Sequence, residues 1–241
     1  VAAAAGDALK KCVLELGGSD PFVVLASADL DRAVPVAVQA RVQNNGQSCI
    51  AAKRFIVEDA VYDEFTTRFV EAMAALTVGD PFDPATDVGP LVSSAQRQEI
   101  ADQVDDARRQ GAVVACGGEV PDGPGWYYPP TVLCDVTPAM RVFGEETFGP
   151  VAVVERAGDV DEAIELANRT SFGLGSSVWT ADAAEQARCI DEIDAGQVFV
   201  NAMVASTPEM PFGGIKRSGY GRELSALGIK EFCNAKGVWV A

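Results

Sequence analysis

Between residues 151 and 200 the chain alternates strand-like and helix-like stretches with short links, and this alternation restricts the fold more than any other feature. Residues 151–154, 176–179 and 197–200 read as strands, while 159–168 and 183–193 carry helical patterning. A strand–helix–strand series of this kind predicts right-handed crossovers, hence an α/β protein whose mostly parallel sheet is covered by helices.

The earlier two thirds fit the same plan less regularly. Residues 12–16, 22–25, 54–57 and 112–115 read as strands. Ser27-Ala28-Asp29-Leu30-Asp31 offers N-caps for a helix from about 33 to 43. Val61, Phe65, Phe69, Met73 and Leu76 recur at helical spacing, as core residues of an amphipathic helix. Ser93 or Ser94 can cap a polar helix reaching Gln110. The Pro/Gly-rich stretches 79–90 and 121–130, the latter running on to Leu133, are expected to be irregular. A short helix at 224–232 and a last strand at 238–240 close the chain.

Composition excludes several function classes. A net charge of -16 opposes nucleic-acid and anionic-membrane partners, because both would repel the chain. No apolar run approaches the length of a membrane span, so a soluble protein with no membrane partner is expected. The six cysteines are scattered and form no CxxC pair, a pattern that fits a reducing cytoplasm and argues against a disulfide scaffold or a thiolate zinc site. There is no histidine, which removes Ser-His and Cys-His pairs and imidazole metal sites, and no metal ligand set is expected. Any base must therefore be a carboxylate, lysine, tyrosine or a water relay.

Chemistry is expected around Asn44-Asn45-Gly46-Gln47-Ser48-Cys49-Ile50-Ala51-Ala52. Turn residues there end a helix and redirect the backbone ahead of a strand, presenting one cysteine at an edge. A lone cysteine can equally be buried and structural. Three further stretches stand out: Leu14-Glu15-Leu16-Gly17-Gly18, Glu145-Glu146-Thr147-Phe148-Gly149-Pro150, and the Gly-rich segment from Pro211 to Glu223. Glu15 is either an edge residue facing water or a partly desolvated carboxylate with a raised pKa, suited to act as a base. The glycines beside it allow a ligand to approach the backbone closely. Those at 213, 214, 219 and 221 read as turn devices, since no GxGxxG follows a strand.

In this order the four stretches resemble the NAD(P)-dependent aldehyde dehydrogenase superfamily. Gly-Gly-Ser-Asp-Pro-Phe, Cys49-Ile50-Ala51-Ala52-Lys53-Arg54 and Glu231-Phe232-Cys233-Asn234 are similar to the bacterial succinate-semialdehyde dehydrogenases. The resemblance implies that Cys49 is the nucleophile, forming a thiohemiacetal and then a thioester with an aldehyde, and the most reactive thiol. Glu15 is implied as the base, Glu223 as a second carboxylate relaying protons behind it, and the Cys49 N–H as a donor to the oxyanion. NAD or NADP is the implied cofactor, with Glu146 on the nicotinamide ribose, Phe148 at the nicotinamide end and Gly17 beside them. Phe212 is implied to line the substrate tunnel, and Ser206 and Thr207 to stand where the family places a substrate hydroxyl. Gln43 occupies the position, six before the cysteine, where members acting on succinate semialdehyde often carry an arginine; the nearest arginine is Arg41. Ala51 replaces a second cysteine found in some relatives, so no local redox switch is expected.

The fold class implied is an aldehyde dehydrogenase catalytic domain over residues 18–217. Residues 1–17 would end a cofactor domain that otherwise lies upstream and is largely missing, together with the oxyanion-hole asparagine. Residues 218–235 would pack back on that domain, and 236–241 would form an oligomerisation strand in a homo-oligomer, a dimer or tetramer. The expected reaction is NAD(P)-linked oxidation of a small-molecule aldehyde, first of all succinate semialdehyde, to the acid. The alternatives are a truncated, non-catalytic chain that binds no cofactor and a cysteine-dependent esterase.

Overall fold

The computed structural model describes residues 1–241. In chain order the strands are β1 (Leu14–Glu15), β2 (Pro21–Val24), β3 (Arg54–Glu58), β4 (Val113–Cys116), β5 (Thr131–Cys134), β6 (Val151–Ala157), β7 (Gly175–Trp179), β8 (Gln197–Val200) and β9 (Gly219–Tyr220). The helices are α1 (Ala2–Asp7), α2 (Leu30–Val42), α3 (Asp59–Ala74), α4 (Ser94–Arg109), α5 (Arg141–Gly144), α6 (Val160–Asn168), α7 (Ala183–Glu192) and α8 (Ser225–Glu231). Asp29, Ser93, Asp159 and Asp182 cap α2, α4, α6 and α7 by accepting main-chain N–H bonds, which fixes where those helices start.

Seven strands form one sheet in the order β4-β5-β6-β3-β2-β7-β8, parallel throughout except for the antiparallel edge pair β4–β5. Alternation along the central strands divides the core between two faces. Phe22 and Val24 of β2, with Phe55 and Val57 of β3, pack against α2 and α3. Val23 and Ile56 point the other way, into a core with Ala163, Ile164 and Ala167 of α6 and Cys189 of α7. On that second face α4 covers β5 and β6 through Ile100, Val104, Leu133, Val151 and Val153. Both faces are covered, which is why β2 and β7 are buried along their whole length.

Several expectations need correction. Residues 131–134, read as the end of an irregular stretch, form β5; Pro129 and Pro130 directly before it hide so short a strand. The expected strand over 12–16 shrinks to two residues, because it pairs only with β9, in a separate antiparallel ribbon. Outside these corrections, residues 238–240, whose expected partner is a second subunit, form no ladder within the chain, and Val238, Trp239 and Val240 are exposed.

The topology leaves three loops side by side. Gly17-Gly18 leads towards β2, the Cys49 turn leads into β3, and Glu146 to Pro150 lead into β6. Since β6, β3 and β2 are neighbours and parallel, these loops converge at the amino ends of the central strands. Open α/β sheets usually bind ligands at the opposite, carboxyl ends.

Candidate active site

At that convergence lies a cleft of about 590 Å³ lined by Glu15, Leu16, Gly17, Gln43, Asn44, Gln47, Ser48, Cys49, Glu146 and Phe148. Its floor is the Cys49 turn, whose shape is dictated locally. Asn44, Asn45 and Gly46 are three consecutive residues with positive φ, at 49°, 56° and 73°. Asparagine tolerates that region better than most residues. At Gly46 a Cβ would also run into the Gly149 carbonyl, so two of the sequence-identified stretches meet there. Asn45 ties the turn to the 79–92 loop, accepting from Gly89 N at 2.8 Å and donating to Pro90 O at 3.2 Å. Gln47 accepts from Val92 N at 2.9 Å.

Beneath the turn are buried cations. Arg41, fully buried, donates to Gly46 O at 2.9 Å and Val151 O at 3.1 Å. Lys53 is 2 % exposed, and its ammonium donates to Ser48 O at 3.2 Å, Cys49 O at 3.1 Å and Ala51 O at 3.0 Å. Its three N–H donors are thus spent on the backbone of the cysteine turn. Glu146 Oε1 lies 3.7 Å from Lys53 Nζ and accepts from Gly18 N at 3.0 Å. Burial lowers the Lys53 pKa and raises that of the neighbouring Asp20. Asp20 accepts from Gly175 N at 3.1 Å.

Cys49 is half-buried, and its N–H donates to no acceptor in the chain. Burial first, then the facing Glu15 carboxylate, pushes its thiol up to about 12, while Lys53 pulls it down. A thiol raised in this way favours the protonated form at rest. Glu15 is itself raised, first by burial and then by the charges of Glu223 and Glu146, against the lowering influence of Cys49. The two groups are apposed, each shifting the other's pKa, and Glu15 Oε1 is buried without a partner. A carboxylate oxygen left without a partner beside a thiol is placed to accept that thiol's proton.

The structure therefore brings Cys49, Glu15, Glu146, Phe148, Gly17 and Gln43 into one cleft. The glycines also make room within the chain: a Cβ on Gly17 would collide with the Glu146 carboxylate, and one on Gly18 with the Cys49 carbonyl. They admit protein groups. Phe212, Ser206 and Thr207 do not line the cleft. They follow the edge strand β8, two strands from β3's neighbour β2, and Phe212 is buried while its main chain pairs with that of Glu223. Glu223 is exposed and outside the cleft lining, yet close enough for its charge to act on Glu15. Lys53, Asp20 and Arg41 went unassigned in the sequence. The available signal was Lys53-Arg54, two cations at the mouth of an apolar strand, where burial demands partners.

The sequence profile described as "Aldehyde dehydrogenase family" matches residues 1–238. The chain is 67% identical over 240 residues to a succinate-semialdehyde dehydrogenase [NADP(+)] of Mycobacterium avium (strain 104), covering 100% of this chain and 51% of the relative. It is 64% identical over 241 residues to succinate-semialdehyde dehydrogenase [NADP(+)] 1 of Mycobacterium tuberculosis (strain ATCC 25618 / H37Rv), covering 53% of it. The chain thus spans about half the length of the curated relatives it matches. Among solved structures it superposes on succinic semialdehyde dehydrogenase from Streptococcus pyogenes, in complex with NADP+, with a TM-score of 0.95 at 39% identity, covering 99% of this chain and 52% of that one. Lactaldehyde dehydrogenase from Escherichia coli gives 0.93 at 37% identity, covering 96% and 49%.

Proposed function

The chain belongs to the aldehyde dehydrogenase family, and on that premise we propose that it carries the acyl-transfer centre of an NADP(+)-dependent enzyme oxidising succinate semialdehyde to the acid. The observation that supports this most is the single cleft in which a thiol, an unpartnered carboxylate and an unpaired N–H face one another. The substrate follows the relatives' descriptions.

Each step falls to a named atom. The Cys49 sulfur adds to the aldehyde carbon while Glu15 takes the thiol proton, and the carbonyl electron pair moves to oxygen. The Cys49 N–H, free of other acceptors, donates to that oxyanion. A carboxylate and an aromatic ring on the cleft wall fit a nicotinamide riboside: Glu146 would accept from its hydroxyls and Phe148 would pack against its end. When bound, the nicotinamide supplies the hydride acceptor for the thiohemiacetal. Glu15 first gives up the thiol's proton, which Glu223 at the exposed side passes to solvent. Glu15 then takes a proton from the water that attacks the thioester and returns it to the Cys49 sulfur as that sulfur leaves. Gln43 offers an amide, without charge, for the far end of the substrate.

The test is NADP(+) reduction followed with succinate semialdehyde, for the protein and for Cys49→Ala. Loss of turnover with an unchanged fold supports the reading, and retained turnover sinks it. Lactaldehyde oxidised as efficiently as succinate semialdehyde would overturn the substrate assignment. The thiol, base and N–H also suffice for ester hydrolysis without cofactor, read with p-nitrophenyl acetate.

A further inference from the structure

We propose that Lys53 is a positioning residue that aims the Cys49 N–H at the reacting oxygen. The inference rests on the catalytic reading of Cys49 above and adds a residue to it. A trans peptide is planar, with its C=O and N–H directed oppositely. The chain has no cis peptide bonds, so the Ser48–Cys49 peptide obeys this rule. Its carbonyl, Ser48 O, accepts from the Lys53 ammonium at 3.2 Å and from Ala51 N at 3.1 Å, so the lysine adds a second, buried donor to the turn's own bond. That ammonium lies under the turn at 2 % exposure, whereas Ser48 and Cys49 line the cleft. Drawing the Ser48 carbonyl down to the buried cation therefore turns the Cys49 N–H up and away from it.

Two further bonds make the placement rigid. Cys49 O and Ala51 O also accept from Lys53, at 3.1 Å and 3.0 Å, so the peptide on either side of Cys49 is held. The Cys49 N–H makes no bond of its own that could orient it. Its direction is inherited from the carbonyl of the same peptide. Lys53 has no hydrogen-bond donor left for substrate, so it acts through the backbone alone. The 3.7 Å Lys53–Glu146 pair would exist in many arrangements, but three carbonyls sharing one ammonium exist in few.

The experiment compares Lys53→Met with Lys53→Gln, both uncharged, of which only glutamine keeps N–H donors for Ser48 O. Turnover with succinate semialdehyde and NADP(+) is measured beside the iodoacetamide alkylation rate of Cys49, a displacement that forms no oxyanion. Loss of one oxyanion donor typically costs about 10²- to 10³-fold in kcat, so the methionine variant should turn over at least ~10-fold more slowly than the glutamine variant, with KM within about threefold. Alkylation rates of the two should agree within about threefold, because both lack the charge that favours the thiolate. Equal turnover of the two variants overturns the proposal, and so does alkylation falling in step with turnover, which would mean that the turn has collapsed. If Lys53→Met does not fold, the ratio of turnover to alkylation in Lys53→Gln is compared with the wild type. A ratio within about threefold agrees with an oriented donor, and a larger fall overturns it. Cys49→Ala is assayed alongside: aldehyde oxidation surviving in that variant refutes the catalytic reading itself, whatever the lysine variants do.

Discussion

Two populations of cations divide this molecule. Arg41, Lys53 and Arg54 are at most 2 % exposed and their hydrogen bonds go to main-chain carbonyls. Arg68, Arg141, Arg156 and Arg188 lie near the surface, and each clamps two carboxylates. The surface set pairs with carboxylates where solvent already screens the charges. The buried set shapes backbone, since a carbonyl drawn to a desolvated cation has few other directions to take. Burial, more than charge, decides which arginines and lysines matter.

The largest expected effect lies in the cleft-lining carboxylate that no cation holds. Glu15→Gln should lower turnover by about 10²- to 10⁴-fold with the fold intact. The same change removes a charge that raises the Cys49 thiol, so iodoacetamide should alkylate Cys49 faster at pH 8 than in the wild type. Opposite signs for the two rates are the signature; both falling together would make Glu15 a structural residue. In the wild type the sign with pH is also fixed. A thiol raised to about 12 gains thiolate across the whole range from pH 8 to 10, so alkylation should climb without levelling near 9. A plateau there would show an unperturbed thiol.

Arg54→Met tests the buried set directly. It removes donors from Ser19 O, Leu166 O and Ala167 O and leaves Glu155, 3.8 Å away, buried without its cation. Breaking a buried pair in this way costs about 3–5 kcal/mol, read from the urea midpoint. A loss below about 1 kcal/mol would erase the distinction between the two populations. Gly46→Ala should cost roughly 2 kcal/mol, from a left-handed backbone and the encounter with the Gly149 carbonyl. Arg188→Ala, which breaks only exposed pairs with Asp161 and Glu192, should leave the urea midpoint unchanged within error.

The sequence revealed what depends on local pattern. The 151–200 alternation, the Asp and Ser caps and the Cys49 turn are properties of neighbouring residues, and the structure keeps them. β5 was missed because its four residues acquire strand identity from pairing with β4 and β6 rather than from their own run. In the site, Cys49, Glu15 and Glu146 were readable as motifs that resemble a family. Lys53 was quoted among those motifs, but its role depends on three carbonyls meeting at one depth, which no spacing encodes. Phe212, Ser206 and Thr207 were carried from the resemblance alone, and the edge position of β8 keeps them out of the cleft lining.

The ties around the Cys49 turn reach far along the chain. Asn45 binds Pro90, Arg41 binds Val151, and Glu146 accepts from Gly18, across 45, 110 and 128 residues. Contacts of such separation close late, after the intervening chain has paid its loop entropy. During refolding, helical signal should therefore return before the Cys49 turn takes its final shape. A thiol probe at Cys49 would time the last event of assembly, and recovery of this turn marks a chain whose central strands are all in place.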